Sequence, residues 1–449
     1  MKISENQFAI ASVGSIVGLL LIWVIPETIA LRHLLLCSAC ISAFGLIRYN
    51  WARLKSVDYR FIPLLCIFSL FLWVLVHYAF FSLNPELELS EIQGLWIRSI
   101  LGAIAAIGLG IAVVKYSKLR TCFYVALFLT PAINIFAYCW ASYWNQGFIK
   151  PNDFLFFLFA KIETAYFGAI ASAVAVGNLI HLMAGEIDKP KALQILGWFF
   201  GLAFVLISAF ISSTMNGMAI AAGLCFFLAL IIFAKILMAQ KKSKKLALFL
   251  SGLVFTLAFG LWQAQNTFTH KGWGMVFYDA KLALDIKNNL QWQTDTVDGI
   301  PLNELGHKVA PSTYTRFAYA SVGIDLINQY PLGYGSINQS FDGLLRQVKI
   351  KHVAGRQAHS GWIDFGLAFG VPGLVLIFSC MLSTIYFGLK SKSSIALPWV
   401  IVCLAFIPFG LIAEISYKQY FEATIFFLTL GSTVIIFTGD RFQENLKKT

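Results

Sequence analysis

Trp362-Ile-Asp-Phe-Gly-Leu-Ala-Phe-Gly-Val-Pro-Gly-Leu-Val-Leu-Ile-Phe-Ser-Cys-Met-Leu-Ser-Thr-Ile-Tyr-Phe-Gly-Leu389 is an apolar run interrupted by one charged side chain, Asp364. At a rise of about 1.5 Å per residue, roughly 20 such residues cross a hydrocarbon core of about 30 Å. Runs of this kind recur on both sides of it. Hydropathy and flanking charge together place spans near 7–25, 29–47, 61–82, 97–115, 121–141, 163–184, 192–212, 216–238, 246–263, 361–389, 395–414 and 420–438.

Composition agrees with that reading. Hydrophobic residues make up 58% of the 449 positions and charged residues 12%, where a water-soluble globule carries about 25% charged residues. Lipid must solvate most of the chain. The expected fold is an all-α integral membrane protein of about twelve transmembrane helices, with a large periplasmic loop before the last three. The chain divides into helices 1–9 over 1–263, a loop over 264–360, and helices 10–12 with a short cytoplasmic tail over 361–449.

A net charge of +12 would fit a nucleic-acid binder, but the basic residues cluster in short loops between apolar runs, which excludes that class. Arg48, Arg53, Lys55 and Arg60 share one loop, Lys115, Lys118 and Arg120 another, and Lys241, Lys242, Lys244 and Lys245 a third. By the positive-inside rule these loops are cytoplasmic. Lys390, Lys392, Lys447 and Lys448 fall on the same side when twelve spans are counted, so both termini are expected in the cytoplasm. The acidic stretch Asn84-Pro-Glu-Leu-Glu-Leu-Ser-Glu91 and the long segment from Trp262 to Ala358 land opposite. The first apolar run lacks a small-residue cleavage site and reads as a retained anchor.

All eight cysteines lie in or beside apolar segments and the long loop has none, so no disulfide framework is implied. Cys37 and Cys40 form a C-x-x-C inside a membrane run without a second ligand pair, which favours small packing residues over a metal site.

Within the long loop, Thr315 to Gln329 reads as an amphipathic helix with Phe317, Ala320, Ile324 and Ile327 on its inward face, ended by Pro331-Leu-Gly-Tyr-Gly335. Arg316 would fall in its first turn, where the macrodipole disfavours a cation unless an anion is held there too. A phosphate would resolve the conflict; a carboxylate or lipid headgroup is the plainer partner. His359-Ser-Gly361 comes immediately before the apolar run, placing the histidine at a helix N-terminus. The positive dipole end favours a neutral imidazole, which can accept a proton from a hydroxyl. An inert interfacial histidine fits the same position.

Tyr314-Thr-Arg316, Gln329-Tyr-Pro-Leu-Gly-Tyr-Gly335 and His359-Ser-Gly361 running into Gly370-Val-Pro-Gly373 together resemble the O-antigen ligase/polymerase superfamily in order and spacing. The resemblance is sharp over about residues 312–375 and extends elsewhere as topology. It implies a metal-independent, inverting glycosyltransferase of the bacterial inner membrane, active on the periplasmic side and without a cofactor. The implied donor is a glycan on undecaprenyl diphosphate and the implied acceptor lipid A-core oligosaccharide, with membrane lipids as surroundings and no nucleic acid. By the same resemblance His359 is the base and Arg316 a diphosphate ligand. Ser213-Thr-Met-Asn-Gly217 departs from the pattern, because Met215 or Asn216 stands where family members carry an arginine. Arg356 is the first choice for a compensating cation, with Arg346 as alternate and Arg98 as a further option. Arg356-Gln-Ala-His359 also lacks a histidine that close relatives place ahead of the motif.

Three readings share this fold: ligation onto lipid A-core, polymerisation onto a second lipid-linked repeat, and transfer to protein, which is disfavoured by the short tail after Gly439. A transporter is the rival from another class. Its coupling groups would lie at mid-membrane, whereas His77, His181, Lys161, Glu163 and Glu414 lie within or near span ends.

Overall fold

The computed structural model describes all residues except 1–3, 24, 26, 55–57, 148, 150–160, 184–188, 213–214, 239–251, 253–254, 257–258, 261–262, 264–273, 295–298, 351–356, 392, 415–417 and 440–449. Among the described residues the architecture is helical, with one isolated bridge pairing Leu302 with Lys308. The helices are α1 (Glu5–Ile22), α2 (Ile29–Tyr49), α3 (Ile62–Phe80), α4 (Pro85–Glu91), α5 (Ile97–Lys115), α6 (Ser117–Ala126), α7 (Leu129–Trp144) and α8 (Lys161–Leu182). They continue as α9 (Lys189–Ile211), α10 (Met215–Met238), α11 (Val276–Leu284), α12 (Pro311–Gln329), α13 (Ser340–Gln347), α14 (Gly361–Lys390), α15 (Leu397–Ile412) and α16 (Lys418–Phe437).

Nine stretches among the described residues are long and apolar enough to cross a membrane, and Asn216–Ile232 and Leu397–Ile412 are shorter apolar helices. These correspond to eleven of the twelve expected spans. The remaining one, 246–263, lies largely outside the described residues, as do the third lysine loop and the side chains of Lys161 and Glu163.

The centre of the bundle is built on small residues. α5 carries Gly102, Ala103, Ala105, Ala106, Gly108 and Gly110, which lets neighbouring backbones approach closely. Ala43 of α2 sits against Gly108 and Thr433 of α16 against Gly110. Matching contacts at Gly102 with Phe426 show that α5 and α16 run parallel. At the end where α1 begins and α2 and α5 finish, Lys115 Nζ donates to Glu5 at 2.5 Å and to Asn50 at 2.9 Å. Large side chains such as Leu34, Phe44 and Leu72 cover the outside, where lipid contact needs no polar partner.

Two carboxylates of the acidic stretch 84–91 turn inward from a largely exposed segment. Asn84 caps α4 by accepting from the Leu87 N–H at 3.2 Å, and Pro85 takes the first helical position. A π turn over Ile92–Trp96 then joins α4 to α5. Glu88 is fully buried and accepts from His77 Nδ1 at 2.9 Å. Glu91 accepts from Ser336 Oγ at 2.7 Å and from the N–H groups of Ile337 and Asn338 at 2.8 and 3.0 Å.

The apolar run Trp362 to Leu389 is a broken helix. Gly370 adopts φ +67°, a left-handed conformation accessible to glycine, and Pro372 follows without an N–H. The groups freed at the break find new partners: Tyr334 N–H bonds Leu367 O, Gly335 N–H bonds Ala368 O, and Val371 N–H bonds Pro331 O, each at 2.8 Å. Trp73 Nε1 donates to Phe369 O at 2.9 Å. Pro331-Leu-Gly-Tyr-Gly335 therefore ends α12 and also seals the break in α14. Irregular backbone at this depth is tolerated because protein, and not lipid, covers it.

A second core lies over the end of α14. It comprises Trp292, Val309, Tyr314, Ala318, Tyr319, Val322, Leu326, Phe341, Leu344 and Leu367 among others. The long loop thus folds as a cap, with α12 crossing α14 where Gly323 meets Ile363 and Ala358.

Candidate active site

The start of α12 is fixed by a buried carboxylate. Asp279 accepts from Asn303 Nδ2 at 3.0 Å and from the Ala310 N–H at 3.0 Å, immediately before Pro311 opens the helix. Tyr314, one turn on, donates to Asn289 O at 3.2 Å, and burial beside Asp285 pushes its phenol above the ordinary tyrosine range.

Two sequence expectations for α12 need correction. The helix begins at Pro311, so Arg316 lies in its second turn and the dipole conflict at its own N-terminus lapses. Arg316 Nη1 instead donates to Ile412 O at 3.0 Å, at the negative end of α15, where a cation is favoured. The inward face is also different: Tyr314, Ala318, Val322 and Leu326 are buried, while Phe317 and Ile324 are 37% and 53% exposed. Both stripes have helical spacing, and α14 packs against the one that carries the small residues Ala318 and Gly323.

His359 precedes the cap of α14 with φ +58°, a left-handed turn that histidine adopts more readily than most side chains. Asp364 holds this turn by accepting from the Ala358 N–H at 2.6 Å and donating its own N–H to Ser360 O at 2.8 Å. The Gly361 N–H bonds Ala413 O at 3.0 Å, and Ser360 Oγ donates to Gly410 O at 3.3 Å. The end of α15 is thereby stitched to the start of α14. Tyr319 lies parallel to the imidazole, with ring centroids 6.0 Å apart.

His359 Nδ1 is paired with Glu414, the second residue beyond α15. Glu414 is 8% exposed and the histidine side chain 34%, so the carboxylate is sheltered while the imidazole stays accessible. With Nδ1–H directed at the carboxylate, the Nε2 lone pair is the one available to a substrate. In the sequence Glu414 shows only as an ionisable group near a span end. Its partner is 55 positions away, and the nearest signal was its place just after an apolar helix.

Asn216 joins this cluster. Its Nδ2 donates to Ile412 O at 2.6 Å, so it shares an acceptor with Arg316. Asn216, one of the two positions at which the resemblance leads us to expect an arginine, thus borders the Arg316 guanidinium. Arg346 behaves otherwise: it pairs with Asp342 at 2.7 Å on α13 and its side chain is 77% exposed. Arg98 pairs with Glu422 at 2.6 Å. Arg356 lies outside the described residues. Among the described residues the structure brings together His359, Arg316, Asn216 and Glu414, while the contact Arg346 makes is with Asp342 on its own helix.

The O-antigen ligase family model matches residues 200–378. The chain carries the signature of the O-antigen ligase/polymerase superfamily. The matched segment includes Asn216, Arg316 and His359, together with the loop cap and the break at Gly370, and ends before Glu414. An O-antigen ligase/polymerase type of function and a multi-pass membrane protein follow from this match and the apolar helices. Among curated proteins none matches the chain.

Proposed function

We propose that this protein is a glycosyltransferase that moves O-antigen polysaccharide from undecaprenyl diphosphate to lipid A-core oligosaccharide at the periplasmic face of the bacterial inner membrane. The observation that carries the reading is the meeting of Arg316 and the Glu414-paired His359 at the end of α15. His359 Nε2 accepts the proton of the acceptor hydroxyl as its oxygen attacks the anomeric carbon. The bond from that carbon to the diphosphate breaks on the opposite face, its electron pair leaves with the diphosphate, and configuration inverts. Glu414 stabilises the imidazolium that forms and fixes the ring orientation, a role that a buried carboxylate performs well.

Arg316 serves the leaving group. Among the described residues only its Nη1 is engaged, so most of the guanidinium's five N–H donors remain for diphosphate oxygens. A planar fork suits that ligand better than a point charge. Fixed donors aimed at charge that develops in the transition state account for a large share of catalysis in such transfers.

The test is the lipopolysaccharide pattern of a strain lacking this protein. Expected are long lipid-linked chains left unattached, with attachment restored by the wild type and not by His359→Ala. Single repeats attached to the core would make the protein a polymerase and overturn the ligase reading.

A further inference from the structure

A cleft of about 210 Å³ opens between the end of α1, the start of α2 and the first turns of α5 and α16. It lies at the same end of the bundle as His359, since α16 begins just after Glu414, and it shares no lining residue with that site. One wall is apolar, formed by Leu19, Trp23 and Leu36. The other carries Arg32, His33, Arg98 and Glu422.

The charges do not cancel. Arg98 Nε is bonded to Glu422 Oε1 at 2.6 Å, and the same carboxylate also acts on Arg32, so two guanidinium groups share one carboxylate. One positive charge is left over, and Arg32 is the less closely paired. Its Nη1 donates to Trp23 O at 3.2 Å, while its buried Nε has no partner among the described residues. Arg32 also occupies the first turn of α2, which contains no acidic residue, so unsatisfied helix N–H groups add to the same positive field. A buried guanidinium N–H is costly to leave without an acceptor. The volume is many times the roughly 10–15 Å³ that one water requires, and Ile29, at the mouth, is 60% exposed on the bundle's apolar exterior.

We infer that this cleft binds the phosphoryl headgroup of a membrane lipid, with the phosphate on Arg32 and the start of α2 and an acyl chain along Leu19, Trp23 and Leu36. The apolar wall and lipid-side mouth favour a lipid over a soluble anion. The inference is independent of the proposed transfer reaction and is read without it.

The experiment uses the full chain in detergent and native mass spectrometry. Dioctanoyl phosphatidic acid is the probe, with dioctanoyl phosphatidylcholine and inorganic phosphate as comparisons. One retained equivalent of the phosphatidic acid is expected, its Kd raised at least about tenfold by Arg32→Gln and little changed by Arg316→Gln. Gly102→Ala narrows the cleft at its floor, where an added Cβ meets only ordinary contacts at 4.0 Å. It should weaken binding with Arg32 intact, and it decides the matter should Arg32→Gln fail to fold. Equal binding by both variants and the wild type would overturn the inference. Displacement by inorganic phosphate at matched concentration would overturn the lipid assignment, and loss of binding in Arg316→Gln alone would move the lipid to the other site.

Discussion

Asn216 and Arg316 donate to one carbonyl oxygen, that of Ile412, at 2.6 and 3.0 Å. Neither is near the other in sequence, and the shared acceptor is the last carbonyl of α15. If Arg316 holds the diphosphate as proposed, the Asn216 amide holds a place from which a second guanidinium would reach it. Introducing one by Asn216→Arg should lower the donor KM several-fold while leaving kcat close to wild type, because added ground-state binding acts on KM first. Donor titration in a reconstituted assay reads this, and an unchanged or raised KM would show that the position does not face the donor.

Arg316→Lys should impair transfer nearly as severely as Arg316→Ala. Each is expected to cost on the order of 10²-fold in rate, since an ammonium cannot span two phosphate oxygens as a fork does. The measurement is transfer at saturating acceptor. Recovery of most activity by lysine would reduce the contact to a point charge.

His359→Ala should abolish transfer without loss of membrane insertion, and Glu414→Gln should cost about 10²–10⁴-fold in kcat with a smaller change in KM. The glutamine retains a carbonyl to accept from Nδ1–H but lacks the charge that stabilises the imidazolium. His307, exposed and outside the cluster, is the control. A Glu414→Gln enzyme with wild-type kcat would assign Glu414 a purely packing role.

Glu91→Gln should loosen the turn 336–338, because one carboxylate now serves three donors there and an amide offers a single acceptor oxygen. Hydrogen exchange at the Ile337 and Asn338 amides should quicken by about tenfold or more. Unchanged protection would mean that the cap's own core holds the turn.

Gly370→Ala should lower thermal stability by about 1–3 kcal/mol, since a side chain is strained at φ +67° and its Cβ would press on the Pro331 carbonyl. A melting curve in detergent measures it. No shift in Tm would place the break elsewhere.

The spans were legible in the sequence because lipid imposes a length and an apolarity that each segment must meet alone. The end of α12 at Pro331 and the position of His359 before α14 were legible for a similar reason, as proline and helix boundaries act locally. What stayed hidden was relational. Nothing nearby in sequence announces His77 or Ser336 as partners of Glu88 and Glu91, so the acidic stretch shows only its side of the membrane. The face of α12 could not be chosen between two helical stripes, since the choice depends on Gly323 admitting α14. The N-terminal conflict expected of Arg316 is absent from its observed contact, which is the opposite pole of another helix.

The break at Gly370 leaves the short half of α14 with divided allegiance. Carbonyls 367 to 369 are bonded to Tyr334, Gly335 and Trp73, so the ladder that would tie this half to the membrane-crossing half is interrupted at the rung where it matters. His359 is therefore held by the cap and by the end of α15, and the ladder of residues 371–390 does not run unbroken into its turn. The turn that carries the imidazole is thus set by contacts between elements, and not by continuation of the helix that follows it.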